Sequence, residues 1–595
     1  MTSVAQNNFW SADDKLPISQ KSVSIPSANG LNYSAGQRIT FDVPSTVEYI
    51  QPKECYLSFE VQIQYPTLNA DPAVGAKPTR LQLDPVLGGQ SLIKEISIKS
   101  GGAGSVLLEQ YENYNVLTYI KYSYSTNDVL RAKRALTEGS TFWSSNTRGT
   151  CGTTQSHQAA IKTNPWFVTE AGGDTWSNDN LQKVKCLLPI QTGLFQNSKI
   201  LPVLMLEGLK LDIILEDAVK CVRQLDSARL ATRQGLKPVF HSVDGVLGPM
   251  AGKIPAKTNF KTIFLANENN MLEADNCPFV IGERVNFVEL ASGTITDTDA
   301  DPFIVDTVTN AGNGLVELTS AANAQSQTEV TIGGTYGVYS ESIQEQTVGN
   351  LGAYNCNYVV SNAQLILQQL EMPSGYTSKM RSMMKEGGVM NYDFLSSTNY
   401  KYSQLSSDTV ANIRLPLNQS RCKAILSVPT DSTTYNTAVA LSGGLRDGVN
   451  TTKTFIYDEA FPSADGLWTS DTSGVTGVTD SLQNYQYFYD GKLNPSRKVD
   501  CVKTSGASIS QQPLIELEKA LAQCEIVPYS FRMFKESYCL GRALSLHNGV
   551  YDARGKDFNI QLEYDVNAVK NKLWHNFVHH VRRIEFRGNG ISVLV

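Results

Sequence analysis

Three histidines near the carboxyl end of the sequence are its best candidates for metal chemistry. His575 and His579 are four residues apart, a spacing that places two imidazoles on one face of a helix, and His580 follows directly. Imidazole nitrogens suit zinc or nickel. However, no Asp or Glu lies among them to act as a base, and the segment continues into strand-like sequences, IEF and GISVLV. A structural or interface role is therefore favoured, and a metal-dependent enzyme stays the alternative.

Other patterns that accompany catalysis are missing from the sequence. It has no GxxxxGK[ST] phosphate loop, GxSxG elbow, HExxH motif or CxxC pair. The glycine-rich stretch Gly101, Gly102 and Gly104 is followed by no lysine that would meet a phosphate, so it indicates a hairpin turn. Three further histidines are isolated: His157, His241 and His547. We therefore predict a protein that is not an enzyme, without catalytic residues, metal ligands or cofactors.

The charge balance argues against nucleic acid as the main ligand. The formal net charge is −6, which provides no general positive field for phosphates. Basic residues cluster in two places: Arg131, Lys133 and Arg134, and Arg582, Arg583 and Arg587. Either cluster would be able to face packaged DNA, but a solvated or subunit-facing patch is favoured. We expect no sequence-specific binding of nucleic acid.

Nothing in the sequence predicts export or a membrane span. The amino-terminal residues MTSVAQNNFWSADDKLPISQ lack a basic region followed by an apolar one. The longest apolar run, Ile200 to Leu206, contains Pro202 and is far shorter than the roughly 20 residues of a spanning helix. The 10 cysteines are scattered and are expected to be reduced core residues. We therefore expect a soluble intracellular product.

Alternation of apolar and polar residues is the dominant structural pattern. It is clearest from Leu57 to Tyr65 and again from Phe558 to Val566, and it predicts strands with one buried face. Long connections rich in Gly, Asn, Ser and Thr separate the predicted strands. Helices are predicted in three places: Leu108 to Tyr122, Glu216 to about Arg233, and Pro513 to Cys524. The chain is therefore mostly β.

The strand series is interrupted near Pro373. The sequence VVSNAQLILQQLEM closes one series, YTSKMRSMMKEGG forms a bridge, and NYDFLSSTNYKYS opens a second series at Asn391. Within the first series, residues 225 to 350 indicate an insertion with strands of a small barrel and a hairpin at Asn313-Gly314. Two β units with one insertion are predicted, and one large sheet with a long excursion is the alternative.

Two blocks of the sequence resemble a known family. The first, LLPIQTGLFQNSKILPVLMLEGLKLDIILEDA from Leu187 to Ala218, resembles the first jelly roll of major capsid proteins of polinton-like viruses and virophages. The second, Val359 to Tyr402, is similar to the junction between the two rolls of those proteins. The first block contributes four features: the Pro189 strand, the Gly193-Leu194-Phe195 turn, the Leu201-Pro202 step and the strand from Leu209 to Leu215.

The resemblance implies an all-β fold of two tandem eight-stranded jelly-roll sandwiches, a double jelly roll, with long loop insertions and a few short helices. Phe9 and Trp10 would anchor an extended arm beneath or between capsomers. The insertion would lie on the outer surface. The expected domains are the arm (1-32), the first jelly roll (33-373) with its insertion at about 225-350, and the second jelly roll (374-595).

The function that the resemblance implies is that of a major capsid protein in the virion. Such chains form homotrimers with a pseudo-hexagonal outline, and these capsomers assemble the icosahedral shell of a small double-stranded DNA virus. The expected partners are further copies of the chain and the minor capsid or penton proteins. Two alternatives stay open, a minor capsid or fibre protein and a β-sandwich that binds glycans through Trp143, Trp166 and Trp176.

Overall fold

A computed structural model describes most of the chain. The described residues are 19–64, 81–140, 183–224, 357–431, 482–501, 511–529, 539–544, 549–564 and 571–595, apart from 85, 103, 374, 406 and 589, together with the strands of the insertion between 237 and 341. Several features of the sequence lie outside the described residues: Phe9, Trp10, Trp143, Trp166, Trp176, His157 and His547.

The described residues of the first part of the chain form eleven strands and three helices. The strands are β1 (Ser19–Pro26), β2 (Asn32–Ser34), β3 (Arg38–Val43), β4 (Tyr49–Ile50), β5 (Tyr56–Gln64), β6 (Leu81–Leu83), β7 (Ile93–Ser100), β8 (Leu107–Glu112), β9 (Val184–Pro189), β10 (Leu209–Leu215) and β11 (Val222–Gln224). The helices are α1 (Tyr114–Ser125), α2 (Asp128–Glu138) and α3 (Ala218–Cys221), with short 3-10 turns at Pro52–Glu54, Gly88–Leu92 and Val203–Leu206.

A separate β unit follows within the insertion. Its strands are β12 (Lys237–Val243), β13 (Val246–Gly248), β14 (Lys253–Ile254), β15 (Asn259–Ala266), β16 (Arg284–Glu289), β17 (Ile295–Thr296), β18 (Phe303–Gly312), β19 (Leu315–Gln325), β20 (Val330–Thr331) and β21 (Tyr336–Glu341). It has its own core, in which Phe260 stacks on Phe303 with ring centroids 5.6 Å apart. The hairpin between β18 and β19 turns at Asn313-Gly314, where both residues have positive φ, so that prediction is confirmed.

The chain then returns to the first unit and continues into a second. The elements are β22 (Asn357–Glu371), α4 (Tyr376–Lys385), β23 (Met390–Gln404), β24 (Val410–Arg414), β25 (Cys422–Asp431), β26 (Leu482–Tyr489), β27 (Lys492–Asp500), α5 (Gln511–Gln523), β28 (Leu540–Ala543), β29 (Phe558–Tyr564), β30 (Lys572–Arg587) and β31 (Gly590–Leu594). The edge strand β31 pairs with the end of β30.

The same strand order occurs twice in the chain. In the first unit one sheet has the order β1-β22-β5-β9 and the facing sheet the order β3-β10-β7-β8. In the second unit the sheets have the orders β23-β30-β25-β28 and β24-β29-β26-β27. The eight main strands of each unit can be numbered by their order in the sequence. One sheet then contains the first, eighth, third and sixth strands, in that spatial order, and the other contains the second, seventh, fourth and fifth. Two four-stranded antiparallel sheets connected in this way form a jelly roll. The predicted double jelly roll is confirmed.

Alternation explains most of the individual strands. In β5, Leu57, Phe59, Val61 and Ile63 are buried, and β29 alternates buried and half-buried residues from Phe558 onward. Main-core residues of both sandwiches form one continuous hydrophobic cluster. Of the seven cysteines in the described part, all except Cys501 are buried. Among the described helices, none is long and apolar enough to cross a membrane.

Several boundaries differ from the predictions. Ser19–Pro26, inside the predicted arm, is hydrogen-bonded along β22, so the first sandwich begins no later than Ser19. Its side chains are mostly exposed, which weakens the alternation that would reveal a strand. The helix predicted from Leu108 begins only at Tyr114, because Leu107–Glu112 is β8.

The other two predicted helices have different outcomes. Of the helix predicted from Glu216, the described part contains only the single turn α3, which is followed directly by β11. The helix predicted at Pro513 to Cys524 is confirmed as α5, with the proline in its first turn.

Candidate functional site: the joint between the two sandwiches

The three candidate histidines lie on strand β30, not on the helix that their spacing suggested. All three are almost completely buried, with relative exposures of 2%, 2% and 0% for His575, His579 and His580. On a strand, His575 and His579 point to one face and His580 to the other. The helical interpretation is therefore wrong, because local spacing cannot show that β30 is a strand covered on both faces.

Hydroxyl and amide groups surround the imidazoles. In His575, Nδ1 lies 3.2 Å from Asn399 Nδ2 and Nε2 lies 3.3 Å from Thr430 Oγ1. His580 Nε2 lies 3.0 Å from Thr398 Oγ1. Within the described residues no group of three or more His, Cys, Asp or Glu side chains is arranged to hold a metal ion. The arrangement is that of neutral histidines packed in an interface.

Burial dominates the acid-base behaviour of these histidines. It lowers the pKa of His575, His579 and His580 from 6.5 to about 3 in each case, because the charged imidazolium loses its hydration. Neighbouring cations add to the effect: Lys401 and Lys220 at His575, Lys121 at His579 and Arg582 at His580. The imidazoles are therefore neutral at physiological pH.

Strand β30 is buried on both faces because it lies between two cores. Every residue from Trp574 to His580 is buried. On the side of the second sandwich, Trp574 Nε1 donates to Gln404 Oε1 at 2.6 Å. Toward the first sandwich, Asn399 on the neighbouring strand β23 donates from Nδ2 to Asn113 Oδ1 at 3.2 Å. A strand with two covered faces loses the alternating pattern.

The turn after β9 forms the tightest part of this contact. Glu109 accepts hydrogen bonds from the backbone N–H groups of Gly193 at 3.1 Å and of Leu194 at 2.9 Å. A Cβ atom on Gly193 would lie 1.7 Å from the carbonyl oxygen of Leu395 in β23, well inside contact distance. Glycine is therefore required there, because the backbones of the two sandwiches touch.

Glu109 is a fully buried carboxyl in this contact. Burial raises its pKa, while the N–H of Leu194 and the cations of Arg582 and Lys121 act in the opposite direction. Lys121 on α1 is half-buried, and desolvation lowers its pKa from 10.5 to about 8. A buried carboxyl with cations nearby is costly to separate from them, so this cluster favours one fixed arrangement of the sandwiches.

Further polar contacts extend along the same boundary. We call the whole contact the joint, formed by β8, α1, the loop 190–199 and their partners on β23, on β30 and after α5. The further polar contacts are the ion pair of Lys401 with Glu112 at 2.8 Å and three hydrogen bonds: Asn197 to Asp393 O at 2.9 Å, Tyr392 to Lys199 O at 3.0 Å, and Tyr529 N to Tyr124 O at 2.8 Å. The joint therefore makes one block of two sandwiches.

Arg134 of the first basic cluster and the three arginines of the second are engaged within the protein. Arg134 is buried and pairs with Glu138 at 3.4 Å, with its guanidinium 3.5 Å from the ring centroid of Tyr122. Arg583 makes a bidentate pair with Asp393 at 2.7 and 2.9 Å. The other members of the second cluster are also engaged: burial lowers the pKa of Arg582, and Arg587 pairs with Glu585 at 2.7 Å. In the first cluster, Lys133 is exposed.

The comparisons with known proteins concern the fold. No family model matches the chain, and the comparison with curated proteins gives no match. Among solved structures, PBCV-1 VP54, described as fitted into a cryo-EM reconstruction of the virophage Sputnik, is 10% identical and has a TM-score of 0.44, with 99% of each chain covered. The Faustovirus major capsid protein is 9% identical, with a TM-score of 0.43 over 96% of this chain and 91% of its own.

A virophage protein is also among the similar structures. The mavirus major capsid protein is 8% identical, with a TM-score of 0.32 over 98% of this chain and 93% of its own. The assignment of the double jelly roll to this chain rests on its own repeated strand order.

The sequence predicted one part of the joint and missed another. The Gly193-Leu194-Phe195 turn was identified through the family resemblance, and it lies at the closest approach of the two sandwiches. Glu109 was missed, because a carboxylate in a strand looks like a solvent-facing residue. A usable signal was the run from Ser396 to Asn399, four polar residues in a row where an exposed-face strand would alternate.

Proposed function

We propose that this chain is a capsid protein, the main building block of a viral shell, and that three copies form a capsomer with a six-sided outline. The observation that carries the proposal is the repeated strand order together with the joint: two equivalent sandwiches are held side by side as one block. Three such blocks supply six similar units. The resemblance of Leu187–Ala218 and Val359–Tyr402 to capsid proteins of virophages and polinton-like viruses supports the same function.

The structural character of the protein agrees with this role. A jelly roll offers a rigid framework, and its loops are free to carry insertions such as the unit from β12 to β21. We further propose that this unit lies on the outside of the capsomer and that the protein resides in the virion of a small double-stranded DNA virus. Its partners would be further copies and the proteins at the vertices of the shell.

The expressed chain provides the direct test. Light scattering after size-exclusion chromatography should give a mass of three times 65.2 kDa, and electron microscopy should show six-sided particles. A stable monomer at micromolar concentration would contradict the proposal, and so would saturable binding of a sugar by such a monomer, which the glycan-binding alternative predicts.

Limited proteolysis tests the placement of the insertion. In assembled particles, cleavage should begin between β12 and β21, before any strand of the sandwiches is cut. First cuts within β5 would contradict the proposed layout.

A further inference from the structure

Helix α4 connects the two sandwiches and is held against both of them. Tyr376 packs edge-on against Tyr49 of the first sandwich, with ring centroids 5.8 Å apart, and the Tyr49 hydroxyl lies 2.9 Å from Thr377 Oγ1. At the carboxyl end of α4, a Cβ atom on Gly588, in the turn between β30 and β31, would lie 2.9 Å from the carbonyl oxygen of Met384. The position of α4 is therefore fixed by contacts with both sandwiches.

The two sides of α4 differ in chemistry. The apolar side is buried, with Met380 and Met384 at 0% and 7% exposure. The outer side carries three exposed cations, Lys379, Arg381 and Lys385. None of the three forms an ion pair with another described residue. A fixed helix thus presents unpaired positive charge, although the chain as a whole has a net charge of −6.

Strand β22 separates α4 from the insertion. The insertion leads into β22 at Asn357, and α4 follows the other end of the same strand, after Glu371. The 15 residues of this strand span roughly 50 Å. If the insertion lies on the outside of the capsomer, as we propose, the end that carries α4 faces the interior of the shell. The interior is where a DNA virus packs its genome.

Duplex DNA fits the outer side of α4 better than a lipid surface does. A helix that inserts into a membrane presents large apolar side chains beside its cations. The outer side of α4 instead adds Ser378 and Ser382 to its cations, and its exposed apolar residue is Met383, at 37%. Cations and hydroxyls are groups that bind phosphate oxygens. The exposed Glu386 just after the helix offsets only one of the three positive charges.

We propose that the outer side of α4 binds the phosphate backbone of packaged duplex DNA without reading its sequence. This inference rests on the proposed capsid function and adds a partner to it. Each phosphate that a cation neutralises releases counterions, so the binding weakens steeply as salt is added. A trimer presents the helix three times, and this multivalency strengthens a contact in which each helix contributes few charges.

Charge removal on α4 tests the proposal. The variant combines Lys379→Gln, Arg381→Gln and Lys385→Gln. In fluorescence anisotropy with a short labelled duplex of mixed sequence, it should bind at least about tenfold more weakly than the unmodified trimer at low salt. The slope of log K against log salt should fall by about 2 to 3, because three phosphate contacts are lost. The three positions are exposed, so light scattering should show an unchanged mass.

A matched control removes three exposed cations elsewhere: Lys261→Gln in the insertion, with Lys492→Gln and Arg497→Gln on β27. It should bind the duplex within about twofold of the unmodified trimer, because those positions contact no phosphate. If the control weakens binding as much as the α4 variant does, overall charge explains the effect and the assignment of α4 is overturned.

The other outcomes separate this inference from the proposed function. A trimer that binds no duplex overturns the inference while the capsid function stands, whereas a chain that stays monomeric overturns both. Flotation with vesicles that contain phosphatidylserine, without binding to the duplex, would make a membrane the partner and would also overturn the proposal.

Chemical modification gives a second measurement that needs no variant. An acetylating reagent should modify Lys379 and Lys385 in the free trimer, and duplex DNA should slow both reactions, as mass spectrometry would show. The reaction of Lys261 in the insertion should keep its rate. Equal rates at α4 with and without the duplex would overturn the proposal.

Discussion

The eighth strands of the two sandwiches, β22 and β30, each lie between the first and third strands of their sheet, but their patterns of buried side chains differ. Strand β22 alternates buried residues such as Leu365 and Leu367 with polar ones such as Gln364. Strand β30 has seven consecutive buried residues from Trp574 to His580. The difference follows from what covers each strand, since connectivity is identical. Coverage, more than topology, decides which side chains a strand carries.

Buried titratable groups are also concentrated on the covered strand β30 and in the joint. The histidines described in the two sandwiches are all on β30, and the remaining described histidine, His241, is on β12 of the insertion. The joint also contains the buried Glu109 and the half-buried Lys121. The second sandwich should therefore respond to pH where the outer side of the first does not.

Lowering the pH should produce the largest difference between the covered strand β30 and the exposed side of β22. The pKa of each histidine on β30 is about 3 in the folded protein against 6.5 when unfolded, so folding favours the neutral form. This stabilisation is complete above pH 6.5 and is lost as pH falls below it. At pH 5 the loss is about 2 kcal/mol for each histidine. Glu109, whose pKa is raised, acts in the opposite sense and offsets part of the loss.

Hydrogen exchange followed by mass spectrometry would localise the acid effect. After correction for the intrinsic rate, peptides of β23 and β30 should lose protection between pH 7.5 and pH 5, whereas peptides of β5 and β22 should keep theirs. The variant His579→Gln should show a smaller difference between the two pH values. Equal loss of protection in both sandwiches would show that the histidines do not determine the acid response.

Substitution of Gly193 gives the next largest effect. In Gly193→Ala the new methyl group would meet the carbonyl oxygen of Leu395, and the two backbones would have to move apart. We expect a loss of about 3 kcal/mol in the free energy of unfolding. Denaturant titration would measure it, with Gly104→Ala as control, because a Cβ there has no atom within 4 Å. A similar change in both variants would show that the closeness of the joint does not matter for stability.

The sequence alone identified strands that have one buried and one solvent-facing side. It did not identify strands with both sides covered or both sides exposed. The alternation from Leu57 to Tyr65 and from Phe558 identified β5 and β29, because solvent imposes polar residues on every second position. Strand β30 lacks that pattern, and its histidines suggested a helix. Strand β1 lacks it for the opposite reason, since its side chains are mostly exposed. Both strands are assigned only by their pairing partners, which are distant in the sequence.

The side-chain hydrogen bonds and ion pairs between the first and eighth strands should have the smallest effect on stability. In the second sandwich, Asp393 on β23 holds Arg583 on β30 in a bidentate pair, with Arg421 at 3.4 Å. Burial acts to raise the pKa of Asp393, but the hydrogen bonds and positive charges of Arg583 and Arg421 together outweigh it, and the pKa lies below its ordinary value. In the first sandwich the corresponding strands are joined by exposed bonds, among them the neutral bond of Ser24 to Gln364 at 3.0 Å and the bond that Ser19 donates to the Glu371 carboxylate at 2.6 Å.

Removal of the Asp393 charge from the second sandwich should therefore destabilise the protein more than loss of the exposed Ser24 hydrogen bond from the first. We expect Asp393→Asn to lower the free energy of unfolding by about 1 to 2 kcal/mol, since a charged hydrogen bond is lost from a partly buried site. Ser24→Ala should change it by less than about 0.5 kcal/mol, because that bond competes with water. The stabilisation that accompanies the lowered pKa of Asp393 is full above the unfolded carboxyl value and is lost as pH falls through the folded pKa, so the Asp393 effect should shrink at pH 3. Thermal melts of both variants at neutral pH and at pH 3 would measure the difference, and equal shifts would mean that the covered strand pair gains nothing from its charges.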